Sequence, residues 1–137
     1  MITYEDYVGV HKDSPDLTPK RKQNIADLLK ACQQLELEML ACGIEFPTNP
    51  KTGSQVSGEV YGGFRPQDCP IGAHRSSHKM GLAVDRYDPL GEIDKWCMEH
   101  QNRLNFYGIY IEHPSKTPTW SHWTIKSPKS GNRVFMP

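Results

Sequence analysis

Between positions 76 and 85 the chain reads Ser-Ser-His-Lys-Met-Gly-Leu-Ala-Val-Asp, the pattern S-x-H-x-x-G-x-A-x-D. It sets an imidazole, His78, and a carboxylate, Asp85, within reach of each other. Catalytic zinc takes nitrogen and oxygen donors from about three side chains and keeps one position open for water. A histidine entering a strand and an aspartate at the strand's end can point to one side. Gly81 lets the backbone turn between them, and Ala83 keeps that face uncrowded. The third donor must come from another strand, and His122, within Trp120-Ser121-His122-Trp123, is the best placed.

This motif resembles that of the zinc D-alanyl-D-alanine carboxypeptidase family. The family also holds VanX-type dipeptidases, VanY-type carboxypeptidases and the L-alanyl-D-glutamate endolysins of phages. It belongs to a wider group with lysostaphin-type peptidases and the hedgehog signalling domain. The resemblance runs over residues 61–124, roughly half the chain. It implies that His78, Asp85 and His122 bind zinc. Gly63-Phe64-Arg65-Pro66 matches the family's glycine–aromatic–arginine segment, with Gly62 where serine is common. By resemblance Arg65 holds a substrate carboxylate or carbonyl oxygen and stabilises the oxyanion that develops there, and Ser76 supports the site by hydrogen bonding. The implied activity is zinc-dependent hydrolysis of peptide bonds in peptidoglycan stem peptides, of the D-Ala-D-Ala carboxypeptidase or endolysin type. The implied fold is α+β, with helices flanking a small antiparallel sheet that carries the zinc.

One departure matters. Many family members carry a catalytic glutamate three residues before the last ligand, and others an acid two residues after it. Here those positions are Thr119 and Thr124. Glu112 is the substitute general base: if it pairs with Trp120 across a hairpin, Tyr110 pairs with His122. Tyr110, Glu112, Trp120 and His122 then share a sheet face, with Glu112 diagonal to the third ligand. A one-residue slip would turn it away. The alternative function follows from the same gap: a zinc-binding domain that has lost catalysis and serves as a wall-binding or virion structural module.

Blander roles apply to several candidates. His74 reads as a solvated loop residue, and His100 and His113 as surface residues. Arg65 has a simpler alternative in a salt bridge to Asp68, and Glu112 in a structural hydrogen bond to the loop 114–118. Cys32 and Cys42 read as small core residues and Cys69 as an incidental thiol near the site. The four cysteines form no C-x-x-C pair and no disulfide framework.

The elements that must position these groups follow from periodicity. Residues 1–17 read as an N-terminal arm or short helix. Thr18-Pro19 opens a scaffold helix over 18–43, with Ile25, Leu28, Cys32, Leu35, Met39 and Cys42 on one buried face and Gly43 at its end. Residues 46–58 read as a loop, 60–64 as a short strand, 65–75 as a polar loop and 81–85 as a strand. A helix over 93–104 is followed by two hairpin strands, 109–112 and 120–125. The tail, 127–137, is an extended cover. Residues 60–125 form the zinc-site core of one domain spanning 1–137.

Composition narrows the partners. The 137 residues carry 16 basic and 16 acidic side chains, so nucleic acid is not favoured. The hydrophobic fraction of 36% is low, yet 3 Trp and 6 Tyr argue against disorder. No long apolar run and no signal-peptide h-region occurs. The chain reads as a monomer made in the cytoplasm, without stable membrane association, reaching the wall after holin-type release.

Overall fold

The computed structural model describes residues 1–73 and 75–137. Its longest element, helix α2 (Pro19–Ala41), begins where Thr18 accepts the Arg21 N–H and Pro19 occupies the first helical position. It ends in a Schellman motif: the Gly43 N–H bonds the Leu40 carbonyl and the Ile44 N–H the Met39 carbonyl, with Gly43 at φ 85°. Ile25, Leu28, Cys32, Leu35 and Met39 are fully buried. Cys42 is exposed, because the cap turns the chain away from the core there. The same face also buries Glu36, in line with Cys32 and Met39 at helical spacing.

The first residues are core rather than arm. Helix α1 (Tyr4–Val8) is closed by a capping box between Thr3 and Asp6. Ile2, Tyr7, Val8 and Leu17 are buried in the same cluster as α2.

The sheet has the order β1-β3-β2-β4, from β1 (Ala83–Tyr87), β2 (Tyr110–Glu112), β3 (Trp120–Thr124) and β4 (Val134–Phe135). β1 and β2 both run antiparallel to the central β3, while β4, from the tail, pairs with β2 in parallel. The sheet is therefore mixed, not antiparallel throughout, and the fold is α+β. Val84, Arg86, Ile111, Ser121 and Trp123 are fully buried on one face of the sheet. Asp85 and His122 lie on the other, opposite each other in register.

Two expected elements differ. Residues 60–64 form turns, not a strand, because two glycines bring the backbone too close for side chains. A Cβ at Gly63 would stand 1.9 Å from the Tyr7 carbonyl oxygen, and one at Gly62 would stand 2.6 Å from Val56. The helix expected over 93–104 is two, α3 (Glu92–Glu99) and α4 (Gln101–Tyr107), separated at His100 with φ −131° and ψ 46°. His100 stacks on Trp96 with centroids 4.1 Å apart and hydrogen-bonds its carbonyl, which holds the break. Among the described residues, no helix is long and apolar enough to cross a membrane.

Candidate metal centre

His78 sits in a run of tight turns leading into β1. The Ser76 hydroxyl accepts the His78 N–H at 3.3 Å, and the Ser76 carbonyl accepts the Lys79 N–H at 3.0 Å. Ser76 thus shapes the backbone that presents the ring. Gly81, at φ 75°, closes the segment where a Cβ would meet Ile25 and the Arg21 carbonyl. The ring's Nδ1 donates to the Gly63 carbonyl at 2.8 Å. A carbonyl only accepts, so this contact fixes the tautomer that leaves the Nε2 lone pair free for a metal.

Sheet register supplies the other two donors. Asp85 lies mid-strand rather than at the strand's end, paired with His122 across β1 and β3. His78 Nε2 and His122 Nδ1 converge on Asp85 Oδ1, at 3.3 Å and 2.8 Å. All three residues are buried, and their donor atoms lie within 4.8 Å of one another. Donors of a tetrahedral zinc ion at ~2.0–2.1 Å sit about 3.3–3.4 Å apart, so small side-chain shifts would seat the ion. Two imidazoles and one carboxylate make a donor set that fits a metal ion.

Arg65 does not pair with Asp68. Its guanidinium Nη2 lies 3.5 Å from Asp85 Oδ2, the oxygen turned away from the histidines, and its Nε donates to the Tyr61 carbonyl at 2.8 Å. Gly72 makes room for it, since a Cβ there would stand 2.9 Å from Nη1. Burial alone would raise the Asp85 pKa, but the charges and hydrogen bonds of His78 and His122 outweigh it and hold the carboxyl well below its ordinary range. Burial lowers the His78 pKa against the opposing pull of Asp85, a direction that favours the neutral ring a ligand must offer.

Glu112 faces this cluster, in a register two residues from the expected one. Tyr110 pairs with Thr124 and Ile111 with Trp123, so the next step sets Glu112 opposite His122. A shift of two preserves the face, and Glu112 becomes a direct rather than a diagonal neighbour. Burial raises its pKa, His122 and Arg65 oppose the rise, and Asp85 adds to it. On its other side β4 pairs Glu112 with Phe135, whose ring meets the His122 ring edge-on at 6.1 Å. The Thr124 hydroxyl is committed to the Leu82 carbonyl at 2.8 Å, and Thr119 is exposed.

His113 accepts the Ser115 N–H and so caps the 3-10 turn Pro114–Lys116. Among the described residues the donor cluster includes no cysteine, and Cys69 is partly exposed in its loop. The candidate His74 lies outside the described residues. Phe135 was missed because nothing in the tail's sequence signals a two-residue parallel strand. Searches of protein-family models, curated proteins and solved structures return no match to this chain.

Proposed function

We propose that the protein is a zinc metallopeptidase of the D-alanyl-D-alanine carboxypeptidase type, hydrolysing peptide bonds of peptidoglycan stem peptides. The observation that carries this reading is the convergence of His78 Nε2 and His122 Nδ1 on Asp85 Oδ1, with a glutamate on the same sheet face. His78, Asp85 and His122 would hold a zinc ion, which would supply a Lewis acid for the scissile carbonyl and make a water more acidic. The Glu112 carboxylate takes the proton of the attacking water and hands it to the departing amine. Its raised pKa brings it nearer the operating pH, where a base that must also act as an acid works best. Arg65 spends Nε on Tyr61 and one Nη on Asp85; its remaining N–H groups serve a substrate carboxylate or oxyanion.

Mass spectrometry of purified muropeptides after incubation with zinc-loaded protein tests the reading. Cleavage should add one water across a stem-peptide bond and stop on chelation. Glu112→Gln should keep zinc and lose about 10²–10⁴-fold in rate; full activity in that variant removes Glu112 as the base. Threonine at 119 and 124 favours a second reading, a zinc-binding module of the wall or virion without turnover. That reading requires bound zinc and no cleavage of any muropeptide.

A further inference from the structure

Strand β1, which carries Asp85, ends the strand order of the sheet and pairs with β3 on one side. On its outer side, distant parts of the chain answer the backbone. The Gly62 carbonyl accepts the Asp85 N–H at 2.7 Å, and the Asp85 carbonyl accepts the Ser57 N–H at 2.8 Å. Two residues earlier, the Ala83 carbonyl accepts the Tyr7 hydroxyl at 2.9 Å. Tyr7 belongs to α1 and is 1% exposed, so this bond is shielded from water. The same residue also grips the other half of the site. Its own carbonyl accepts the Phe64 N–H at 3.0 Å, and Gly63 lies against that carbonyl with no room for a Cβ. The residues around Phe64 serve the metal donors directly. The Gly63 carbonyl takes the His78 Nδ1–H, the Arg65 N–H bonds the His78 carbonyl at 3.3 Å, and the Arg65 guanidinium reaches Asp85. The strand that carries Asp85 and the segment that orients His78 therefore meet at one buried tyrosine.

We propose that Tyr7 is a positioning residue of the metal centre: its hydroxyl fixes the start of β1 and its carbonyl fixes residues 62–65, and together they set His78 against Asp85. The assignment rests on the metal reading and goes beyond it, because it makes helix α1 part of the frame of the site. A buried carbonyl that loses its donor must find another, so removing the hydroxyl shifts Ala83 and, two residues on, Asp85.

Tyr7→Phe keeps the ring in the core and removes only the hydroxyl, while Gly63→Ala forces the segment off the Tyr7 carbonyl. Zinc affinity, read by chelator competition on folded protein, should fall about tenfold in Tyr7→Phe and about 100-fold in Gly63→Ala. Leu104→Val, in the buried core on α4, is the control for a merely structural loss and should leave the affinity unchanged. With cobalt(II) in place of zinc, the visible bands should shift in Tyr7→Phe and match the wild type in Leu104→Val. Where Gly63→Ala does not fold, Tyr7→Phe carries the test. Tyr7→Phe with wild-type affinity and bands, or equal losses in Leu104→Val, would overturn the assignment. Should the wild type take up neither metal, the metal reading fails and NMR of the His78 Nδ1–H in metal-free protein decides. A signal broadened by exchange in Tyr7→Phe, and sharp in wild type and Leu104→Val, upholds the role of Tyr7; one that stays sharp in Tyr7→Phe overturns it.

Discussion

Asp85 and Arg86 are neighbours in β1, both buried and both charged, yet they serve opposite faces of the sheet. Arg86 points into the core, where it hydrogen-bonds Glu36 of α2 and packs against both the Phe46 and Trp123 rings, at 4.7 Å and 4.9 Å from their centroids. Its charge is answered by an anion and two aromatic faces. Asp85 instead meets two histidines and a more distant arginine. On the core face a cation and an anion close on each other, although Arg86 Nε and Nη1 find no hydrogen-bond partner among the described residues. On the other face, two imidazoles and a carboxylate converge in a cluster that could hold a metal ion. The buried charge paired with an opposite charge in the core is structural, and the one grouped with two imidazoles is the candidate site.

That contrast sets the order of expected effects. Removing one partner of the core pair should cost most. Glu36→Ala or Arg86→Ala leaves an uncompensated buried charge, at roughly 3–5 kcal/mol in chemical denaturation; a loss below 1 kcal/mol would break the contrast. His78→Ala or His122→Ala should do the reverse, sparing the metal-free fold and weakening zinc more than about 100-fold in chelator competition. Arg65→Ala removes the support behind Asp85 and leaves the donors intact, so zinc affinity should fall by about 10–100-fold. Unchanged affinity would confine Arg65 to substrate.

A third buried carboxylate sharpens the comparison, because no cation or metal answers it. Asp94, in the first turn of α3, accepts the Thr117 hydroxyl at 3.0 Å, and burial, opposed by Ser121 and Thr117, raises its pKa to about 6. The folded state thus holds a proton there that the unfolded chain releases near pH ~4. The stability from this group is complete below that pH and fades as the pH rises through about 6. Asp94→Asn should therefore gain on the wild type by on the order of 1–2 kcal/mol between pH ~4 and ~7, read from urea midpoints. A constant difference across that range would show that Asp94 ionises normally.

Much of the candidate metal centre was legible in sequence because its two halves obey short-range rules. The ten residues from Ser76 to Asp85 carry two donors and the glycine between them, and strand alternation with an even register offset puts Glu112 and His122 on one face. Helix α2 was legible from its Thr-Pro start, its apolar spacing and its final glycine. What escaped depends on distant chain meeting distant chain. The direct pairing of Asp85 with His122, the parallel seating of Phe135 and the turns at residues 60–64 are set by packing against remote backbone. Glu36 had a signal that went unused: its place on the apolar stripe of α2 announced a buried charge in need of a partner. Asp88, which accepts the Ile93 and Asp94 N–H groups at 3.1 Å and 3.0 Å to cap α3, had only its position before a helix to mark it.

Zinc stoichiometry by native mass spectrometry tests the central claim most directly, with wild type and His122→Ala measured side by side. The account predicts one zinc per wild-type chain, resistant to a mild chelator, and none retained by a variant that is still folded. Zinc absent from the wild type, or held equally by His122→Ala, would contradict it.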